Sequence, residues 1–336
     1  MNIDIMLEPN QSPDQVAELA LLAESYGLRA LWAQNYVSER DPFMCLVPAA
    51  QATTKIKLGV VVVSPYEMHP MKIGNAVLTL NEFCQGRAEV VIGGGAFWCA
   101  RMGTQADRMV RAIREAIEII KGVLHDEPLQ YEGQLYKAYG YNAEWSKDSA
   151  PLIYAGANRE QMLRMSTQVA DGIMTSDMIR PLIEGAVKTV KSTLEESDQH
   201  ESNFLINSAI AFHMKEDRET SMREARRELI TRAVLAEWYL RSFMNEDEIT
   251  IVRNNITAFY KAYRAKTHVI DGVPDSIVDK LVDNLTIAGG PDDLDARIAE
   301  LQEYVTTGIT ELCFRVHDDP AFAIRFIGEN IAPSLK

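Results

Sequence analysis

Residues 56–63 read Ile-Lys-Leu-Gly-Val-Val-Val-Val, a β-branched run with almost no polar alternation. A strand with one face in water alternates polar and apolar residues, whereas one covered on both faces reads as a continuous apolar run. This segment is therefore predicted to lie in a parallel sheet, whose strands are joined by covering helices.

The pattern holds in both directions along the chain. Upstream, Ile3 to Leu7 and Arg29 to Ala33 read as short buried strands. Asp14 to Tyr26, ended by Gly27, and Asp41 to Thr53 have helical spacing. Downstream, helix Met71 to Phe83 leads to a fourth strand, Ala88 to Ile92, and a long helix over Asp107 to Leu124. A small hairpin is expected around Tyr131-Glu132-Gly133. Strand Pro151 to Ala155, helix Glu160 to Val169, strand Gly172 to Thr175, helix Pro181 to Ser197 and strand Phe204 to Met214 bring the strand count to seven. Helix Pro291 to Tyr304 precedes the eighth strand, Thr310 to Val316. A helical insertion over about 218–285, suited to a lid or a dimer contact, separates the last two strands. Eight β/α units close into a barrel or lie open as a doubly wound sheet. No GxGxxG follows the first strand, which favours one (β/α)8 barrel domain over residues 1–336.

Composition narrows the function. The 336 residues are 47% hydrophobic and 24% charged, so a sizeable core is expected. The formal net charge of -14 argues against nucleic-acid binding, which depends on basic residues neutralising phosphates. Cys45, Cys84, Cys99 and Cys313 show no CxxC spacing, so neither a metal site nor a disulfide framework is expected. No stretch approaches a membrane span and Met1 to Asn10 lacks a signal-peptide pattern, so a cytoplasmic protein is expected.

Several motifs recur here in one order: Ala23-Glu24-Ser25-Tyr26-Gly27 with Trp32, Thr53-Thr54-Lys55-Ile56-Lys57-Leu58-Gly59, Ser64-Pro65-Tyr66-Glu67-Met68-His69-Pro70, Leu78-Thr79-Leu80-Asn81-Glu82, Gly86-Arg87, Gly93-Gly94-Gly95 and Ala170-Asp171-Gly172. Together they resemble the bacterial-luciferase-like superfamily, and within it the methylenetetrahydromethanopterin reductases, as far as about Ser176. The resemblance implies a homodimeric barrel with the deazaflavin coenzyme F420, or alternatively FMN, across the strand ends. It also implies a non-proline cis peptide at about Val61-Val62 under the central ring. Ser64-Pro65-Tyr66 and the short amino-terminal segment lean towards coenzyme F420 and hydride transfer to or from a small organic substrate. The alternatives are a monooxygenase fed reduced FMN by a partner flavin reductase, and a non-catalytic flavin-binding partner subunit.

The candidate site residues each carry two readings. Gly93, Gly94 and Gly95 let the backbone approach a planar ring, or simply form a turn. Ala155, Gly156, Ala157 and Asn158 run into the amino terminus of a helix near Arg159. That is an anion site where similar proteins hold the cofactor phosphate, or an N-cap at Asn158 without a ligand. Thr175 and Ser176 donate hydrogen bonds to the cofactor chain, or cap the next helix. With Val61, Val62 and Ser64 these form the expected cofactor set. Glu8, Asn35, Tyr36 and His69 fall at strand ends, where barrel chemistry is sited. Glu8 suits proton transfer or is a surface carboxylate before Pro9, and His69 is catalytic or a structural loop residue. The chain departs from the reductases at Met6, which replaces an acidic residue, and at Gln34-Asn35, which replaces an Asp-His pair. Asparagine hydrogen-bonds but does not shuttle protons near neutral pH.

Overall fold

The computed structural model describes residues 1–124, 127–197, 203–232 and 235–335. In chain order the elements are β1 (Asn2–Leu7), α1 (Pro13–Ser25), β2 (Ala30–Gln34), α2 (Pro42–Ala52), β3 (Lys57–Val63), α3 (Pro70–Phe83), β4 (Ala88–Ile92), α4 (Ala96–Arg101) and α5 (Met109–Gly122). A hairpin of β5 (Leu129–Glu132) and β6 (Lys137–Tyr141) follows. Next come β7 (Leu152–Gly156), α6 (Glu160–Val169), β8 (Gly172–Ser176), α7 (Arg180–Glu196) and β9 (Leu205–Phe212). The insertion contributes α8 (Arg218–Glu228), α9 (Glu237–Leu240), α10 (Glu246–Asn254), α11 (Ile256–Ala265) and α12 (Asp275–Leu285). The chain then forms β10 (Thr286–Ile287), α13 (Leu294–Thr306), β11 (Glu311–Val316) and α14 (Pro320–Phe326).

Eight strands close the barrel in the order β1, β2, β3, β4, β7, β8, β9, β11, with β11 returning to β1. All pairs are parallel, as in Asp4 opposite Ala30 and Ala30 opposite Lys57. The period of two divides each strand between two cores. Ile3, Ile5 and Leu7 of β1, with Leu58 and Val60 of β3, pack outward against the helices. Met6, Trp32, Val61, Val91, Tyr154 and Met174 fill the barrel interior. Below that apolar layer sits a polar plug. Arg29 pairs with Asp4 at 2.5 Å, Glu89 at 2.7 Å and Glu311 at 3.2 Å. Asn207 and Tyr154 donate further bonds to Glu311. Gly59 is required beside this plug, because a Cβ there would stand 2.1 Å from the Trp32 ring.

Helix starts follow local chemistry. Ser12 and Gln15 form a capping box ahead of α1, with Pro13 in the first turn. The insertion has its own buried cluster, including Leu229, Leu240, Val252, Phe259 and Leu281. The expected order of eight strands holds, with the hairpin and insertion in place. Two elements are additional to those expected: α4, directly after Gly93-Gly94-Gly95, and α14, which with the following turns packs back on α1. Tyr26 donates to Glu329 at 2.6 Å there. Among the described residues no helix is long and apolar enough to cross a membrane, and no cluster suits a metal ion. The four cysteines are free and buried.

Candidate active site at the strand ends

The carboxyl ends of the strands open into a cavity of about 1210 Å³. Met6, Val61, Val62, Val91, Met174 and Ala209 give it an apolar floor from five different strands. The Val61-Val62 peptide bond is cis, as the resemblance implied. Asn35 Nδ2 donates to the Val62 carbonyl at 3.0 Å and to Glu67 Oε1 at 2.5 Å. The same Glu67 oxygen accepts from the Ser64 amide at 3.0 Å. Burial pushes the Glu67 carboxyl above the usual range, against the pull of those two donors. Asn35 is thus committed to holding the floor.

At one end of the cavity, Gly156, Ala157 and Asn158 lead from β7 into α6. Arg159, not Asn158, is the N-cap, and no side chain caps the helix. The Asn158 side chain is engaged elsewhere: its Oδ1 accepts from the Ser176 amide at 3.0 Å and its Nδ2 donates to Tyr239 Oη at 3.2 Å. Glu160, Gln161 and Met162 of the first turn of α6 line the cavity, no side chain among the described residues caps their amides, and the helix dipole adds partial positive charge there. The N-cap reading of Asn158 is overturned. Tyr239 and Trp238 come from the insertion, which so completes this wall.

The other end is polar. Arg315, inward-facing on β11, donates from Nε to Glu8 at 2.7 Å and from Nη2 to the Tyr36 hydroxyl at 2.8 Å. Burial raises the Tyr36 pKa, so the phenol keeps its proton. The rings of Tyr36 and Trp98 lie 4.6 Å apart. Arg232, fully buried on the insertion, pairs with Asp177 at 3.1 Å and reaches His317 Nε2 at 3.3 Å. Burial, with His213 and Arg232 alongside, pushes the His317 pKa well below the usual histidine range. Arginine only donates, so Nε2 is the acceptor and the Nδ1 proton faces Glu8 at 3.3 Å.

The structure thus gathers Asn35, Val61, Val62, Gly156, Ala157, Asn158 and Ser176 on the cavity wall. Glu8 stands just behind it, half-buried through its bonds to Arg315 and to Gln34, rather than being a free surface carboxylate. The remaining expected residues lie outside the lining. His69 is exposed and caps α3, its Nδ1 accepting from the Met71 amide at 3.3 Å. Ser64 is buried and donates to the Gly94 carbonyl at 3.0 Å. Ala155 and Thr175 are buried in their strands. The three glycines give space to side chains rather than to the cavity. A Cβ on Gly93 would stand 3.1 Å from Val62, on Gly94 2.3 Å from Met109, and on Gly95 2.9 Å from Ser64. Neither Thr175 nor Ser176 caps α7, whose N-cap is Ile179. Sequence reasoning missed Arg315, Asp177, Arg232 and His317. An arginine at an inward position of an otherwise apolar strand was the available signal for Arg315.

The luciferase-like monooxygenase family profile matches residues 2–311, and the chain belongs to that family. More particularly, it is 27% identical to the 5,10-methylenetetrahydromethanopterin reductase of Archaeoglobus fulgidus, covering 100% of both chains. The structure of the coenzyme F420-dependent tetrahydromethanopterin reductase of Methanopyrus kandleri superposes with a TM-score of 0.84 at 21% identity, covering 100% of this chain and 99% of that one. An F420-dependent secondary alcohol dehydrogenase in complex with an F420-acetone adduct gives a TM-score of 0.80 at 16% identity, covering 100% of this chain and 99% of that one. At these identities the structural likenesses bear on the fold.

Proposed function

We propose that this chain is an F420-linked oxidoreductase that transfers a hydride between the coenzyme and a small organic substrate. The observation that carries the reading is the full-length likeness to a methylenetetrahydromethanopterin reductase. The residues fit the group. The apolar floor of Met6, Val61 and Val62 suits a planar ring, and the uncapped start of α6 after Gly156-Ala157-Asn158 suits a phosphodiester. When bound, coenzyme F420 supplies a two-electron hydride donor or acceptor.

The chain's own groups supply orientation and polarity. Asn35 and Glu67 hold the floor strand in place. Tyr36 accepts from Arg315, which leaves its own O–H free to donate to a substrate oxygen. Such a donor stabilises charge that develops on a carbonyl oxygen as hydride reaches the neighbouring carbon. Met6 and Gln34-Asn35 stand where the resemblance to the pterin reductases calls for other residues, and we assign the chain a different substrate. Two copies forming a homodimer belong to the same proposal.

Equilibrium titration of the purified protein with coenzyme F420 and with FMN, each oxidised and reduced, tests the reading. Saturable binding of the deazaflavin in preference to FMN supports it. Preference for reduced FMN contradicts it.

A further inference from the structure

Arg315 carries its charge in a nearly closed place: the residue is 8% exposed, and it lines the cavity. A guanidinium has five N–H donors in a planar fork and no acceptor. Two of them are spent, Nε on Glu8 at 2.7 Å and one proton of Nη2 on the Tyr36 hydroxyl at 2.8 Å. Nη1 and the second Nη2 proton meet no acceptor among the described residues. Tyr36 also lines the cavity, and with its oxygen accepting from Arg315 its own proton is unspent. Trp98, with its ring 4.6 Å from that of Tyr36, and the apolar Ala209 and Ile210 line the same cavity.

Unmet charged donors in a nearly closed place cost free energy, so the ligand that suits this end brings several acceptor oxygens. A simple ketone or aldehyde brings one oxygen, which the Tyr36 hydroxyl takes. A carboxylate adds two in one plane, the pairing that a guanidinium fork favours. Because Tyr36 Oη and Arg315 Nη2 are only 2.8 Å apart, the carbonyl and the carboxylate they hold belong on neighbouring carbons.

We infer that the substrate is a small 2-oxo acid, or the 2-hydroxy acid it forms, with its carboxylate on the Arg315 fork and its keto oxygen on the Tyr36 hydroxyl. The inference rests on the hydride-transfer reading above and names its substrate class. Reduction forms a C–H bond at C2 from the hydride of the reduced coenzyme and breaks the C=O π bond, whose electron pair stays on oxygen and takes the Tyr36 proton. The phenol regains a proton from solvent, into which the coenzyme's second hydrogen is released as a proton.

The surroundings accommodate the added negative charge. Arg315, Arg232, Arg227 and Lys215 stand here with Glu8, Asp177, Glu224, Glu228 and Asp318. Burial pushes the Glu224 carboxyl up to about 7 and raises that of Glu228, so both take a proton more readily than an ordinary glutamate when an anion enters.

The test titrates the protein calorimetrically with oxamate, an unreactive analogue of a 2-oxo acid, and with its neutral ester ethyl oxamate, each with and without oxidised coenzyme F420 present. Oxamate should bind about tenfold more tightly than the ester. Arg315→Gln should abolish that preference and Arg315→Lys, which keeps the charge but not the fork, should retain part of it. With reduced coenzyme, Arg315→Gln should raise KM for pyruvate about tenfold while leaving KM for methyl pyruvate nearly unchanged. A merely structural role would weaken acid and ester alike. Equal binding of oxamate and ester, or an equal loss of both in the two variants, overturns the assignment while leaving the F420 reading intact. Arg315-dependent binding of oxamate by a protein that binds no deazaflavin overturns the F420 reading and leaves the carboxylate subsite standing. Binding of neither oxamate nor deazaflavin overturns both.

Discussion

The side-chain amide of Asn35 donates to the main-chain oxygen of Val62 at 3.0 Å, joining the end of β2 to the floor of the cavity. Through Glu67, which also accepts from the Ser64 amide, the same side chain fixes the exit of β3. Asn35 is here a positioning residue.

Asn35→Ala leaves the Val62 carbonyl and the half-buried Glu67 carboxyl short of a donor, a loss of about 1–2 kcal/mol. We expect affinity for coenzyme F420 to fall about tenfold. A fluorescence titration checks this, and an unchanged affinity would remove Asn35 from the account.

Gly93 separates packing from binding. A Cβ there would press Val62 at 3.1 Å. In Gly93→Ala we expect Val62 to shift towards the cavity, weakening coenzyme binding while thermal stability falls by only about 1 kcal/mol. Parallel titration and thermal unfolding check the split.

Much of this was legible in the sequence, and the limits have physical reasons. The run at 56–63 announces a strand covered on both faces, and β4 and α6 fall at their expected residues, because strand and helix periods are local properties. Gly156-Ala157-Asn158 was readable for the same reason, as a strand end entering a helix. Arg232 and Tyr239 were not, because the insertion meets Asn158, Ser176 and Asp177 through tertiary packing that no local pattern announces. The glycine run misled in detail: its missing side chains make room for Val62, Met109 and Ser64.

The plug beneath the floor sets a pH dependence. Burial raises the Glu311 carboxyl from 4.5 to about 7, with the nearby Asp4 carboxylate adding to the effect. Between those values the folded protein holds a proton that the unfolded chain has released. Its contribution is therefore fully present below about pH 4.5 and is lost as pH rises through about 7. Glu311→Gln should flatten this fall by roughly 1 kcal/mol per pH unit within the window, read by urea unfolding at pH 5, 6, 7 and 8.

Arg29 is the cation that three buried carboxylates share. Arg29→Ala leaves them uncompensated, and we expect a loss of about 3–5 kcal/mol in stability, measured by denaturant unfolding at pH 8. A loss below about 1 kcal/mol would show that the plug does not depend on this pair network.

The central claim is hydride transfer with a deazaflavin, and the most direct measurement is turnover under strict exclusion of oxygen. Reduced coenzyme F420 would be mixed with a panel of small carbonyl compounds and its reoxidation followed by absorbance. The account predicts enzyme-dependent reoxidation by a subset of the panel at the same rate with and without dioxygen. Turnover seen only with reduced FMN and dioxygen would contradict it.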